Sequence, residues 1–378
     1  MKKIFVLSFV FLFLFPAFAS AGTDAVFEAE VLEITQEREI TRKNGGTARQ
    51  QNVKLMGLEK DFKFKEFEVF GITDIDVVSG VEVDKGDKVL VSLSPDPEGN
   101  DKYVITDHVR RGYLYFLVFV FVALMILIGR WQGFKSFISL AVTFFIIMWF
   151  IIPQIVAGGN PLFISVIGSV IILALIIYVT WGWKVKSHIA MLSISISLFL
   201  TGLVSILFTN ITKLSGLADD NILYLVGIEG VNINFEGLLL AGIIIGTVGV
   251  LDDVVISQIS SIEQLKEANP NLTSKEYFKR GLKVGVDHLS SMTNTLFLAY
   301  AGASLPLLLL FTVRQEPFVT FSQVINNELI ATEIVRALVG SVGLILAVPI
   351  ATYFAAYYLK SKTSKTNETS ETSRFVRK

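Results

Sequence analysis

Polar side chains that can exchange protons or bind ions lie in two apolar segments in the second half of the chain. These residues are Asp252, Asp253, Asp287, His288 and Asn294. A charged side chain at the centre of a membrane helix costs about 2.5–3.5 kcal/mol on translocon scales, so such residues usually face the protein interior or a water-filled path. Because both segments are apolar enough to cross a bilayer, we expect the activity to lie in this pair of spans.

Helical periodicity separates the two neighbouring aspartates. Small and polar residues recur at intervals of three and four and form one stripe: Gly242, Gly246, Gly249, Asp253, Ser257 and Ser260. This stripe is predicted to be the protein-facing side of its helix, and Gly242 and Gly246 form a GxxxG pair that lets a second helix backbone approach closely. Asp252 lies about 100° further round the same helix.

The following span carries a second polar stripe. Asp287, Ser291 and Asn294 share one face, and His288 lies beside it. Consecutive spans are antiparallel neighbours, so we expect the two stripes to meet. The hypothesis that follows is proton or ion coupling, because an acid whose access to water changes can load and release a proton. Asp253 is then the protonatable centre and Asp252 a second acid. Ser291 and Asn294 are the expected hydrogen-bond partners, and Asp287 with His288 forms the expected inner gate.

Three other interpretations stay open. The polar residues hold helices together by hydrogen bonds alone, as polar groups at membrane helix interfaces often do. A divalent metal site could use Asp252, Asp253, Asp287 and His288, although no recognisable ligand motif is present. Two aspartates could share a proton and activate water, which would make the chain an intramembrane aspartyl hydrolase. No GxxxxGK[ST] loop occurs, so nucleotide is not predicted as a ligand, and no cofactor or resident metal is expected.

Composition identifies the chain as an integral membrane protein. Of its 378 residues 52% are hydrophobic, and mean hydropathy is +0.60. Residues 1–21 combine two lysines, an apolar run and a small-residue cleavage site, which is typical of a signal peptide, with an uncleaved anchor as the alternative. Seven later stretches approach the span length of about 20 residues: 113–129, 136–156, 162–183, 189–208, 238–258, 292–312 and 334–359.

Lysine and arginine are concentrated in alternate connections, which predicts the amino-terminal domain outside and the carboxyl terminus in the cytoplasm. Arg110 and Arg111, just before the first span, are the main contrary signal. Topology accounts for the basic residues, and with a net charge of −1 no nucleic-acid partner is predicted. The lipid bilayer is the expected environment, and a membrane-protein partner or a homo-oligomer is a further expectation.

Residues 22–112 differ from the rest, because short alternating runs are separated by turn residues. They predict an extracytoplasmic β-rich domain of about five strands, in a small closed or nearly closed barrel of OB type. The chain has no cysteine, so this domain contains no disulfide. Residues 113–359 form the predicted membrane domain, and the Ser-, Thr- and Lys-rich residues 360–378 a disordered cytoplasmic tail. Within the membrane domain, Asn269-Pro270 should end one helix, and the capping-box pair Thr273 and Glu276 should begin a short one at the inner lipid surface or in solvent.

Four short sequences resemble the YibE/F-like family of bacterial membrane proteins. They are GTVGVLDD at residues 246–253, GVDH at 285–288, TNT at 293–295 and LAYAG at 298–302. The resemblance covers the whole membrane region, and the exported β-rich domain fits the YibE type. It implies a multi-pass protein of the bacterial cytoplasmic (plasma) membrane, and places family-level importance on the matching acids, histidine and asparagine. The central spans are more weakly similar to those of SecD/SecF and of proton-driven RND transporters, without the large domains that class inserts between spans.

The sequence therefore predicts a polytopic α-helical membrane protein with an amino-terminal β-barrel domain. Its leading function is that of a permease-like protein that couples a proton or ion to the movement of an unknown substrate, and it is not expected to be an enzyme. The alternative is a membrane scaffold or export-assembly factor that transports nothing.

Overall fold

The computed structural model describes residues 25–41, 47–72, 81–95, 101–228, 232–314, 316 and 318–359. The predicted signal peptide and cytoplasmic tail lie outside these residues. The described chain divides into two compact units, with a boundary after Arg130. One contains the strands, and the other, beginning at Trp131, contains most of the helices.

The amino-terminal unit is a five-stranded antiparallel sheet, as the alternating runs predict. Its strands are β1 (Ala25–Thr41), β2 (Thr47–Gly57), β3 (Glu66–Phe70), β4 (Lys88–Pro95) and β5 (Asp101–His108). The hydrogen-bonded order is β3-β2-β1-β4-β5, and two register shifts in the long β1 bend the sheet around its core. Edge strands β3 and β5 approach through the rings of Phe67 and Tyr103, stacked with centroids 4.6 Å apart. The sheet is thus a half-barrel, which excludes the fully closed form of the predicted closed or nearly closed barrel.

The helical elements follow in one run, which begins near the end of the sheet. They are α1 (Arg111–Ile146), a π-helical turn (Ile147–Ile151), α2 (Ile152–Val156), α3 (Pro161–Trp181), α4 (Val185–Thr212), α5 (Asp220–Val226), α6 (Phe235–Ala268), α7 (Ser274–Ala303), α8 (Leu305–Val313), α9 (Phe321–Ile325) and α10 (Glu328–Tyr358).

Five helices of the described chain are long and apolar enough to cross a membrane, or six if the bent pair α7 and α8 is one span. One of these five is the stretch Arg111–Val156, which has 46 residues. Straight, they would extend for about 70 Å, more than twice a bilayer core of about 30 Å. Arg130 interrupts them with a left-handed φ of 48°. The division into two spans at this point, and with it the count of seven, stays a prediction.

The core of the helical unit is formed around α6, which contacts α3, α4, α7 and α10. Its fully buried apolar residues follow helical spacing and are Ile244, Leu251, Val255, Ile259 and Ile262. They pack against branched side chains of α3 and α4 and against the small side chains of α10, where alanines at three positions allow close approach. This packing fixes which faces of α6 stay free for a site.

The connection from α6 to α7 confirms one local prediction and corrects another. Helix α6 ends at Ala268, directly before Asn269-Pro270, and Thr273 with Glu276 forms the capping box that begins α7. However, α7 continues for 30 residues without a break, so the short helix that was predicted at the lipid surface is the first part of a long one. The reason is that residues 274–303 contain no proline that would interrupt the helix. Tyr277 also joins its first turn to the end of α6, because its ring is buried and its hydroxyl donates to the carbonyl of Asn269 at 2.7 Å.

Candidate ion or proton site

A cavity of about 690 Å³ lies between α1, α3 and α6. It contains both adjacent aspartates, Asp252 and Asp253, near the middle of α6. Oxygen-bearing uncharged side chains from all three helices share the wall: Gln132, Ser136, Ser139, Thr143, Ser169, Thr180, Ser257 and Ser260. Apolar residues and Trp181 complete it. The cavity can therefore hold water or a small polar ligand beside two carboxylates.

The two aspartates occupy different positions in this cavity. Asp253 is exposed, whereas Asp252 is half-buried. The Oδ1 atom of Asp252 is shielded and has no hydrogen-bond partner among the described residues. An ionised carboxylate oxygen cannot stay in such a position at low cost unless a proton, a water molecule or a cation satisfies it. The Oδ1 atom thus needs a partner, and the cavity that Asp252 lines has room for one.

No basic side chain occurs among the described residues that line the cavity. Lys186, in the first turn of α4, forms a 3.1 Å ion pair with Glu263 and lies over the ring of Trp181 at 4.8 Å. That positive charge is already partnered. The electrostatics of the cavity thus favour protons and cations over anions.

The structure does not bring the second predicted stripe into this cavity. Asp287, His288, Ser291 and Asn294 are exposed on α7, and Asn294 lines a separate groove of about 840 Å³ with residues of α4 and α10. Tyr277, Gly281 and Gly285 form the buried face of this part of α7, and Asp287 and Asn294 lie about 120° and 140° round the helix from Gly281. The stripes of α6 and α7 therefore do not meet in the structure.

The glycines of α6 also differ from their expected role. Gly242, Gly246 and Gly249 are exposed, and no atom of the described residues lies within 4 Å of a Cβ built on Gly242 or Gly249. A Cβ on Gly246 would lie 3.0 Å from the Tyr300 hydroxyl. The structure thus packs no helix backbone on this stripe. Instead, Gly249 borders the cavity, where the missing side chain leaves space beside Asp252.

Close packing occurs at glycines that the sequence did not single out. A Cβ on Gly281 of α7 would collide with the side chain of Ile262, and one on Gly285 would lie 2.6 Å from Val348 and 2.8 Å from the amide of Gln258. Gln258 itself is buried and donates to the Gly281 carbonyl and to Thr352 Oγ1, both at 2.7 Å. These contacts join α6, α7 and α10 in one dry junction.

Sequence reasoning missed the residues that α1 and α3 contribute to the cavity. Ser136, Ser139 and Thr143 recur at intervals of three and four, so a polar stripe in a predicted span could have indicated them. Ser169 and Thr180 are separated by three helical turns and carry a weaker signal. Only the fold shows that these stripes face Asp252.

Residues 117–361 match the family model described as YibE/F-like protein. This is more than half of the chain. The protein belongs to the YibE/F-like family. The resemblance inferred from the acidic and asparagine motifs is thus confirmed, and all the residues of the cavity lie within the matched region. No curated protein and no solved structure gives a significant match.

Proposed function

We propose that this YibE/F-like protein is a permease-like protein of the bacterial cytoplasmic membrane that couples a proton or another cation to the movement of a substrate. The observation that carries the proposal is the cavity beside Asp252, in which a shielded carboxylate oxygen lacks a partner within the described chain. Permanent helix contacts would satisfy such an atom, whereas a site that loads and unloads a cation must leave it available.

The residues of the cavity have distinct proposed roles. Asp253, which is exposed, exchanges protons with water, and Asp252 is the second acid that holds the cation in its shielded position. Asp287 and His288, which are exposed near the middle of α7, form the inner gate. A transporter is favoured over a hydrolase because the two acids of the cavity are neighbours on one helix and do not face each other across a substrate site.

The proposed topology has seven spans, with α1 divided at Arg130. It places the half-barrel outside, after removal of the signal peptide, and the carboxyl terminus in the cytoplasm. The strand order supports an OB-type domain, because β1 pairs with both β2 and β4 and the edges β3 and β5 approach each other. Outside the membrane this domain would bind the substrate or a partner.

Everted membrane vesicles test this proposal. Respiration acidifies their interior, a fluorescent weak base reports the pH gradient, and inorganic and organic cations are added in turn. We expect the wild-type protein to dissipate the gradient with at least one cation class and Asp253→Asn to lose this response while remaining folded. Asp101→Asn, which changes an exposed acid of β5, should respond as the wild type does. A full response from Asp253→Asn, or none from the wild type, would contradict the proposal.

A second candidate function is a scaffold that assembles through α7. It is favoured by the exposed face of Asp287, His288, Ser291 and Asn294, for which the described chain supplies no side-chain partner. Acid and imidazole on one face are self-complementary, so a second copy related by a twofold axis would pair them.

The absence of cysteine makes this candidate easy to test. A single Asn294→Cys variant should form a disulfide-linked dimer in membranes, and Phe199→Cys, exposed on α4, should not. Equal crosslinking of the two variants would count against a specific interface. A dimer whose Asp253→Asn variant keeps every function would favour the scaffold over the permease.

A further inference from the structure

Three oxygen atoms in the cavity wall lack hydrogen-bond partners within the described chain. They are Ser139 Oγ of α1, Ser169 Oγ of α3 and Asp252 Oδ1 of α6. Ser169 is completely buried, with 0% of its surface exposed, although it lines a cavity large enough for a ligand. Each atom comes from a different helix, so the cavity gathers three unsatisfied oxygens from three directions.

The behaviour of Ser139 and Ser169 differs from that of several buried hydroxyl groups in the same unit. Along α4, the hydroxyls of Ser193, Ser197 and Thr201 each donate to a carbonyl one turn earlier at 2.8 Å. That local bond is the ordinary fate of a hydroxyl in an apolar helix. The hydroxyls of Ser139 and Ser169 do not form it, which leaves their lone pairs and protons for the cavity.

Unpartnered hydroxyls alone do not make a site. Ser205, Thr209 and Thr332 also lack partners, but none of them lines the cavity or accompanies a carboxylate there. The combination at Ser139, Ser169 and Asp252 is different, because two hydroxyl groups and one shielded carboxylate oxygen belong to residues that line the same cavity. Hard cations prefer such oxygen ligands.

We propose that Ser139 Oγ, Ser169 Oγ and Asp252 Oδ1 bind one monovalent alkali cation, and that Na⁺ is the ion they accept. A single shielded carboxylate balances one positive charge. Ca²⁺ would require six to eight oxygens and commonly several carboxylates. The described residues also contain no cluster of three or more acidic, histidine or cysteine side chains that could hold a metal ion. Water in the cavity completes the coordination shell.

This inference rests on the proposed function and names its coupling ion. Binding of Na⁺ would neutralise Asp252 and join α1, α3 and α6, whereas its release would leave a charged and unsatisfied wall. The two states therefore differ in contacts between helices, which is the difference that a coupling ion must make.

Equilibrium binding of ²²Na⁺ to the purified full chain in lipid nanodiscs tests the site, with a large organic cation replacing Na⁺ at constant ionic strength. We expect saturable binding in the wild type and no saturable binding in Asp252→Asn. Ser169→Ala should raise the Kd about tenfold or more, because one ligand is lost. The matched control is Ser193→Ala, since Ser193 is equally buried but bonded to its own helix. It should bind as the wild type does, and circular dichroism confirms the fold of every variant.

Each other outcome is decisive. Equal binding by the wild type and Asp252→Asn would overturn the site, and so would stronger competition by Ca²⁺ than by Na⁺. If no Na⁺ binds while vesicles still dissipate a pH gradient with another cation, the site fails but the proposed function survives. If Na⁺ binds and Asp253→Asn vesicles respond fully, the site stands and the coupling proposal fails.

Discussion

Two faces of α6 treat buried polar groups in opposite ways. On one face Gln258 donates twice at 2.7 Å, to the Gly281 carbonyl and to Thr352, with no space left around it. On the other face Asp252 has an oxygen without a partner, and a cavity of about 690 Å³ adjoins it. A polar group that is fully bonded in a dry junction holds helices together. A polar group left unsatisfied beside a cavity is available for a ligand. Whether a buried polar side chain has hydrogen-bond partners therefore separates structural from functional residues better than its residue type does.

The largest effect should come from exchanging glycines on the two faces. Gly281→Leu should lower the free energy of unfolding by about 3 kcal/mol, because its side chain would occupy the space of Ile262 and Thr352. Gly249→Leu should change it by less than about 1 kcal/mol, since only open space surrounds that position and leucine favours a helix. It should, however, narrow the cavity and reduce cation responses. Denaturant unfolding of purified protein measures the free energy of unfolding, and vesicle assays measure the cation responses. Equal destabilisation by the two variants would show that the faces are alike.

A smaller effect on stability is expected from substituting Lys266, a buried lysine of α6 that contacts the end of α10. Lys266 is buried and donates to the carbonyls of Ala356 and Leu359 at 2.7 and 2.6 Å, at the carboxyl end of α10. A cation there satisfies carbonyls that end a helix and opposes its dipole. Lys266→Met should therefore cost about 2 kcal/mol. Lys275→Met, at an exposed position of α7, is the control and should cost less than about 0.5 kcal/mol. If the two variants lowered the free energy of unfolding by similar amounts, Lys266 would not contribute specifically to the junction.

Gln258→Leu should lower the free energy of unfolding by about 1 kcal/mol. Hydrogen bonds between membrane helices contribute about this amount, and the two acceptors keep helical partners of their own. Exposed Gln264 of the same helix provides the matched change, and Gln264→Leu should be neutral. If Gln258→Leu stabilised the protein, the junction could not be described as a satisfied hydrogen-bond network.

The same contrast explains how much could be predicted from the sequence. Helix bounds agree only in part, because α7 begins at Ser274 although its span was predicted from residue 292. The five strands and the capping box at Thr273 follow from local patterns and agree with the structure, and the family model confirms the family. The cavity does not follow from them. The sequence predicts Asp253 as the protonatable centre and Asp252 only as a second acid, because helical spacing shows which residues share a face but not which helix covers that face. Ser139 of α1 and Ser169 of α3 are far from Asp252 in the sequence, and only three-dimensional packing places all three residues in the wall of one cavity.

The smallest effect on stability should have the opposite sign from that of Gln258→Leu. Asp252→Leu removes a shielded oxygen that has no partner and fills part of a cavity, so without Na⁺ it should raise the free energy of unfolding by about 0.5–1 kcal/mol. In Na⁺ the wild type should gain stability from the bound ion, and the advantage of the variant should shrink or reverse. Denaturant unfolding in the two buffers measures both quantities. A loss of stability without Na⁺ would mean that Asp252 is bonded within the folded chain, and the distinction between the two faces of α6 would then disappear.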